Sequence, residues 1–199
     1  MKKTRGFTII EIALVLGIAG LIMVMAFVAL PSLWTSQRDA DRRANVMNFI
    51  SALKTFQTNN SRGALPSGSG TYTVSSSALS SSDPSSWGGL IRDYYLKNQS
   101  SLEDPSGNVY QIRVINDCGA SSVGASCKID VPVTDPPTPD DSFNTVNGTG
   151  YSFNIDTPTI YVVKGATCDE EKNAIVKAAN NRSVAAVQVL EKGKYCQNT

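Results

Sequence analysis

Phe7-Thr8-Ile9-Ile10-Glu11-Ile12-Ala13-Leu14-Val15-Leu16 is the stretch that decides how this chain is read. It sets one carboxylate, Glu11, inside an apolar run that offers no counter-charge. From Ile12 to Leu30 the chain then continues for 19 residues without a charge. As a helix rising about 1.5 Å per residue, that run spans roughly 28 Å, close to the thickness of a bilayer core. A secretory signal peptide has a shorter apolar centre, about 7 to 15 residues, followed by a small-residue cleavage site, and none follows Leu30 cleanly. A carboxylate at membrane depth costs about 2.5 to 3.5 kcal/mol on insertion scales, so it calls for a partner delivered from elsewhere. Ahead of the run, Met1-Lys2-Lys3-Thr4-Arg5-Gly6 is basic. The positive-inside rule keeps that end in the cytoplasm and exports everything after Trp34.

Past Trp34 the helical signal persists, because Val46, Phe49, Ile50, Leu53 and Phe56 recur at helical spacing with polar residues between them. One helix is expected from about Phe7 to Gln57. Its first half belongs in membrane or among neighbouring subunits, and its second half lays one apolar stripe on a sheet. Pro31 lacks a backbone donor and is expected to kink or weaken the helix, while Gly17 and Gly20 add conformational freedom. Arg38, Arg42 and Arg43, diluted by Asp39 and Asp41, read as a solvated helix face and give no basic stripe for nucleic acid.

The remainder suggests a small antiparallel sheet. Asn59 to Gly89 is rich in Ser, Gly, Asn and Thr and reads as a surface connection with little core. Trp87, Leu90, Ile91, Tyr94, Tyr95 and Leu96 form an apolar patch of one or two helical turns, with packing the expected role of its aromatics. Asp104-Pro105-Ser106-Gly107-Asn108 is a turn that leads into a strand over Val109 to Ile115. Further strands are expected over Lys128 to Val133, Tyr151 to Ile155, and Thr159 to Lys164. Thr167-Cys168-Asp169-Glu170 has capping-box spacing and predicts a helix from Asp169 to about Asn180. Ser183 to Leu190 then reads as a strand, and Tyr195 to Asn198 as its return. In the loop Thr134 to Asp141, three prolines rule out a regular ladder, and Asp135, Asp140 and Asp141 match no defined calcium loop.

The basic leader ending in Gly6, then Phe7, Thr8, Glu11 and a long apolar span, resembles the type IV prepilin signature. The resemblance implies that a prepilin peptidase cuts between Gly6 and Phe7, that the new Phe7 amine is methylated, and that Glu11 attracts a neighbouring subunit's N-terminus. It also implies a pilin fold, an α+β arrangement with 1–6 as leader, 7–34 as transmembrane and assembly helix, and 35–199 as exported globular domain. In type IV pilins the stretch between helix breakers can lose its helix on polymerisation, which here implicates the residues between Gly20 and Pro31. The implied partners are further copies in a helical filament, the peptidase, a pilus assembly platform and, before assembly, the cytoplasmic membrane. The Asp-Pro-x-Gly-x-x-Tyr turn ending at Tyr110 also looks like one found in major pseudopilins of type II secretion and in some pilins. A pseudopilin or minor pilin of a type II secretion or DNA-uptake system shares every motif. A simple anchored binding domain differs in predicting no cleavage after Gly6.

Charge and cysteines bound the rest. The chain has 18 Lys plus Arg and 17 Asp plus Glu; losing the leader's Lys2, Lys3 and Arg5 leaves 15 against 17, a formal charge of −2. Cys118, Cys127, Cys168 and Cys196 all lie in the exported part, where an even count favours disulfides. Sequence alone permits three pairings. We favour Cys118 with Cys127, closing a small Gly/Ser-rich loop, and Cys168 with Cys196, which resembles the C-terminal disulfide loop of many pilins. The chain has no His, which excludes Ser/His/Asp and Cys/His nucleophile systems and His-Glu-x-x-His metal sites. With no phosphate loop, no metal set and no cofactor motif, and with adjacent acids such as Glu103 and Asp104 read as solvated, assembly is expected and catalysis is not.

Overall fold

The computed structural model describes residues 7–60, 63–97, 99–127, 158–169, 174–191 and 193–199. The strands expected over Lys128 to Val133 and Tyr151 to Ile155, and the Asp135, Asp140 and Asp141 loop, lie outside them. Helix α1 is Ile9–Asn59, 51 residues long, with Pro31 inside it. The helix runs through Pro31, where a kink or weakening was expected, without ending there. A proline removes one donor, and the i to i−4 bonds on either side carry the helix through, as apolar spans commonly tolerate. The chain forms two compact units, one ending at Arg38 and the other Asp39–Thr199.

The second unit is a folded α+β domain. Its sheet runs β1 (Gly70–Thr73), β2 (Gln111–Ile115), β3 (Thr159–Lys164), β6 (Val184–Leu190), β7 (Gly193–Asn198), in that spatial order. β4 (Ala166–Asp169) and β5 (Ala174–Lys177) form a separate antiparallel hairpin. The sheet is mixed, not antiparallel throughout, because β2 and β3 pair in parallel from Gln111 against Thr159 to Ile115 against Val163. Parallel neighbours need a long crossover, which the chain between Ile115 and Thr159 provides.

Alternation along the strands sorts the core into two faces. Ile112, Val114, Ile160, Val162, Val184 and Ala186 meet the α1 stripe of Val46, Phe49, Ile50, Leu53 and Phe56. The same cluster takes in Trp87, Leu90 and Ile91 from α2 (Trp87–Leu90) and the π-helical turn Ile91–Tyr95. The intervening residues Tyr161, Val163, Ala185 and Val187 face the other way, onto Ala166, Ile175 and the Cys118 loop. Burial of both faces explains why β3 and β6 read as nearly continuous apolar runs.

Two departures from expectation have physical causes. The helix expected from Asp169 is the β4–β5 hairpin, with Thr167 opposite Val176 and Cys168 opposite Ile175; Glu170 lies outside the described residues. Gly165, at φ 68°, lets the chain turn straight from β3 into β4. The Cys168–Cys196 bond, with Cα atoms 5.9 Å apart, then ties the hairpin to β7, so tertiary context overrides the local capping pattern. β1 falls in the Ser-rich connection and went unread because its residues are mostly exposed. The other disulfide joins Cys118 to Cys127, Cα atoms 4.8 Å apart, and both pairs are those favoured from the sequence. Each contributes around 2 to 4 kcal/mol by limiting the unfolded chain.

Arg42 and Asp104 are the larger correction, since both read as solvated. Asp104 is only 5 % exposed. Arg42 donates to it twice, Nε to Oδ1 and Nη2 to Oδ2, each at 2.8 Å. Tyr110 Oη also donates to Asp104 Oδ1 at 3.1 Å, and Gln188 Nε2 donates to Tyr110 Oη at 3.2 Å. Beside them, the Glu191 amide donates to Asp39 Oδ1 at 2.8 Å. The turn presents Asp104 because Ser106 N donates to Asp104 Oδ2 and Gly107, at φ 85°, completes the reversal. Burial alone would push the Asp104 carboxyl up, but Arg42, by hydrogen bonding and by charge, and Ser106 hold it below the usual carboxylate range. The same hydrogen bond raises Arg42.

A carboxyl depressed in the folded state stabilises the fold above its unfolded pKa and loses that contribution as pH falls through its folded one. Asp104→Asn is therefore expected to cost about 3 kcal/mol at pH 7. In urea melts at descending pH, the gap between wild type and variant should close below about pH 4. A constant gap down to pH 2 would show that the charge pair is not what the substitution removes.

Candidate assembly segment

α1 begins with a cap. Thr8 precedes the first helical residue, and Glu11 stands three residues after it, the spacing of a reciprocal capping box. Glu11 N donates to Thr8 Oγ1 at 3.4 Å, while Thr8 N and Thr8 Oγ1 both donate to Glu11 Oε2 at 3.0 Å. The opening turn thus has an orphan amide satisfied by Thr8, and a carboxylate near a helix N-terminus is favoured by the helix dipole. Sequence reading missed this role although Thr-x-x-Glu is its signature, and placed that signature at Thr167 instead. Among the described residues no cation pairs with Glu11, and Oε1 takes no hydrogen bond.

Behind the cap, the apolar side chains are exposed on every side. Ile9, Ile10, Leu14, Leu16, Ile18, Leu21, Met23, Phe27 and Val28 are all more than half exposed. Such a helix is long and apolar enough to cross a membrane, with a mean hydropathy of 2.8 over its most apolar window, none of it buried. Apolar surface on this scale is not kept in water by a soluble monomer; it needs lipid or other chains. The contrast with the second half of α1 is compositional, since Val46 to Phe56 keeps its apolar residues to one stripe.

The expected site residues fall as follows. Gly6 lies outside the described residues. Phe7 is exposed, and its nitrogen is a peptide nitrogen joined to Gly6 in this chain. Gly17 and Gly20 are helical, and a Cβ on either would meet nothing within 4 Å. Within one chain, then, neither glycine makes room for a neighbour. Pro31 is helical, and the four cysteines are paired in the folded domain. Among the described residues no group of three His, Cys, Asp or Glu is placed to hold a metal ion.

No family model matches the chain, and no curated protein or solved structure is significantly similar to it.

Thr8→Val removes the hydroxyl while keeping the side-chain shape. It is expected to weaken the first turn by about 1 kcal/mol. In detergent micelles the amides of Glu11 and Ile12 should then exchange roughly fivefold faster, with the folded domain's amides unchanged. Unaltered exchange at Glu11 would mean that the cap does not hold in the apolar phase.

Proposed function

We propose that this chain is a type IV pilin, a filament subunit whose work is assembly. The observation that carries the reading is the single acid at the head of an apolar helix, behind a basic leader ending in Gly6. Prepilin peptidase cuts between Gly6 and Phe7, and the freed Phe7 amine is methylated. The subunit waits in the cytoplasmic membrane with its folded domain outside, then passes through the assembly platform into a surface filament. There the apolar segments cover one another, and Glu11 meets the Phe7 amine of a neighbour. In that setting an ion pair is worth more than in water, and a carboxylate left alone is strongly penalised. The stretch between Gly20 and Pro31 is the part that extends during polymerisation.

The second reading is a pseudopilin of a secretion or DNA-uptake system, and the Asp104 to Tyr110 turn resembles one found both in major pseudopilins and in some pilins. That turn supplies Asp104 to Arg42 and Tyr110 to the core, so it has a structural use in this domain in either case.

The capping box calls for a test that separates charge from hydrogen bonding. Glu11→Gln keeps an acceptor for Thr8 but carries no charge; Glu11→Ala removes both. If Glu11 pairs with an amine, both variants lose sheared filaments while processing after Gly6 continues. If Glu11 only caps the helix, Glu11→Gln assembles like wild type and the pairing role falls. Intact-mass analysis of sheared and membrane fractions gives the companion readout. A sheared chain starting at methylated Phe7 is expected; a processed chain confined to membranes favours the pseudopilin, and a chain still starting at Met1 overturns both.

A further inference from the structure

The folded domain carries a groove of about 470 Å³ between the exposed face of α1 and the segment that follows α2. This is within the usual range for small-molecule sites. Asn48 and Ser51 line it from the helix, and Tyr94, Lys97 and Gln99 line it from the opposite wall. Nothing in the pilin reading uses these residues.

The backbone of the opposite wall is irregular where it meets the groove. Leu96 N donates to Ile91 O at 2.7 Å, the i to i+5 bond of a π turn. Lys97 follows at φ 54°, the one non-glycine residue with positive φ among those described. π turns are rare and concentrate at functional sites. A side chain in the left-handed region is disfavoured and is held there by its surroundings. Together they present Tyr94, Lys97 and Gln99 on one wall.

The chemistry of the walls narrows the ligand. Asn48 and Gln99 are exposed amides, each offering a donor and an acceptor, and neither side chain has a hydrogen-bond partner among the described residues. Tyr94 is half-buried and makes a T-shaped contact with Phe56, ring centroids 5.5 Å apart at 78°, which restrains the ring. Asp93, also at the groove, is matched by Arg92 at 2.7 Å. Lys97 is then a single cation, too little for a polyanion. Ala52, Leu96 and Leu102 also line the groove, but amides and hydroxyls predominate over them, which does not suit a wholly apolar ligand. Paired amides, a hydroxyl and a restrained aromatic ring suit a ligand whose hydroxyls both donate and accept and whose C–H faces lie on the ring. We infer that this groove binds a neutral oligosaccharide.

The test uses the full-length chain in micelles of a zwitterionic detergent, because sugar-headed detergents would compete. Maltose, lactose and chitobiose are titrated separately to about 10 mM, enough to fill a millimolar site. The side-chain amide signals of Asn48 and Gln99 are followed by NMR. At least one sugar is expected to shift both signals saturably. Asn48→Ala with Gln99→Ala, two exposed positions whose loss leaves the core intact, should weaken binding about tenfold or more as read from the Tyr94 ring signals. Tyr94→Phe keeps the ring and should bind within about twofold of wild type. The proposal is overturned if no sugar shifts either amide, if the double variant binds as well as wild type with an unchanged melting curve, or if phosphate or an extended hexapeptide shifts these signals while the sugars do not.

Discussion

Arg42 sits on a helix whose neighbours point into an apolar core, and its guanidinium can be there only in the company of carboxylates. That constraint organises the folded domain. The bidentate bond to Asp104 fixes the turn after Leu102, and the turn delivers Tyr110 to Asp104 and to Gln188 in the sheet. Glu191 approaches Arg42 from the end of β6, with its oxygen 3.6 Å from Nη1. The apolar stripe from Val46 to Phe56 supplies the larger free energy, at about 1.5 to 3 kcal/mol for each large side chain buried. Greasy surfaces, however, specify position poorly. A planar fork that accepts one carboxylate in one orientation sets where the stripe lies on the sheet.

How much of this was legible depends on whether a residue's partner is near it in sequence. The α1 stripe, β3 and β6 were readable because each carries its own periodicity or β-branched run, and β7 because it returns from a turn after β6. Cysteine count alone left three disulfide pairings open; Cys118–Cys127 was favoured because it closes a small loop, and Cys168–Cys196 because it resembles the C-terminal disulfide loop of pilins. Arg42 and Asp104 were not readable: they lie 62 positions apart, and in one dimension each sits beside residues of the opposite or same charge that suggest a solvated surface. β1 gave no signal because an exposed edge strand of Gly, Thr and Tyr lacks alternation. The segment from Thr167 gave the wrong signal. Its capping spacing is a local preference worth about 1 kcal/mol, too small to resist a disulfide and a sheet edge that hold Cys168 extended.

The same signature was decisive at the other end of the chain. Thr8 and Glu11 cap α1, so Glu11 has a use within a single chain, and the presence of an acid at the head of an apolar helix does not by itself demand a partner chain. What the cap leaves unexplained is the charge. A glutamine would satisfy the same hydroxyl and amide, and in an apolar phase it would do so without a carboxylate's desolvation penalty.

The two roles are compatible in geometry. Thr8 occupies Oε2 with both of its donors and leaves Oε1 unengaged. A carboxylate held in one orientation by its own helix loses less freedom when an ammonium reaches the other oxygen, so the cap would preorganise the proposed pair instead of competing with it. It also bears on the period before assembly. A carboxylate already bonded to Thr8 is less costly to hold at the edge of a bilayer than a bare one, and it becomes more favourable once a cation arrives. On the proposed pairing, an acid with this arrangement would tolerate the membrane and gain by leaving it for a neighbour, which is the asymmetry that directional assembly requires.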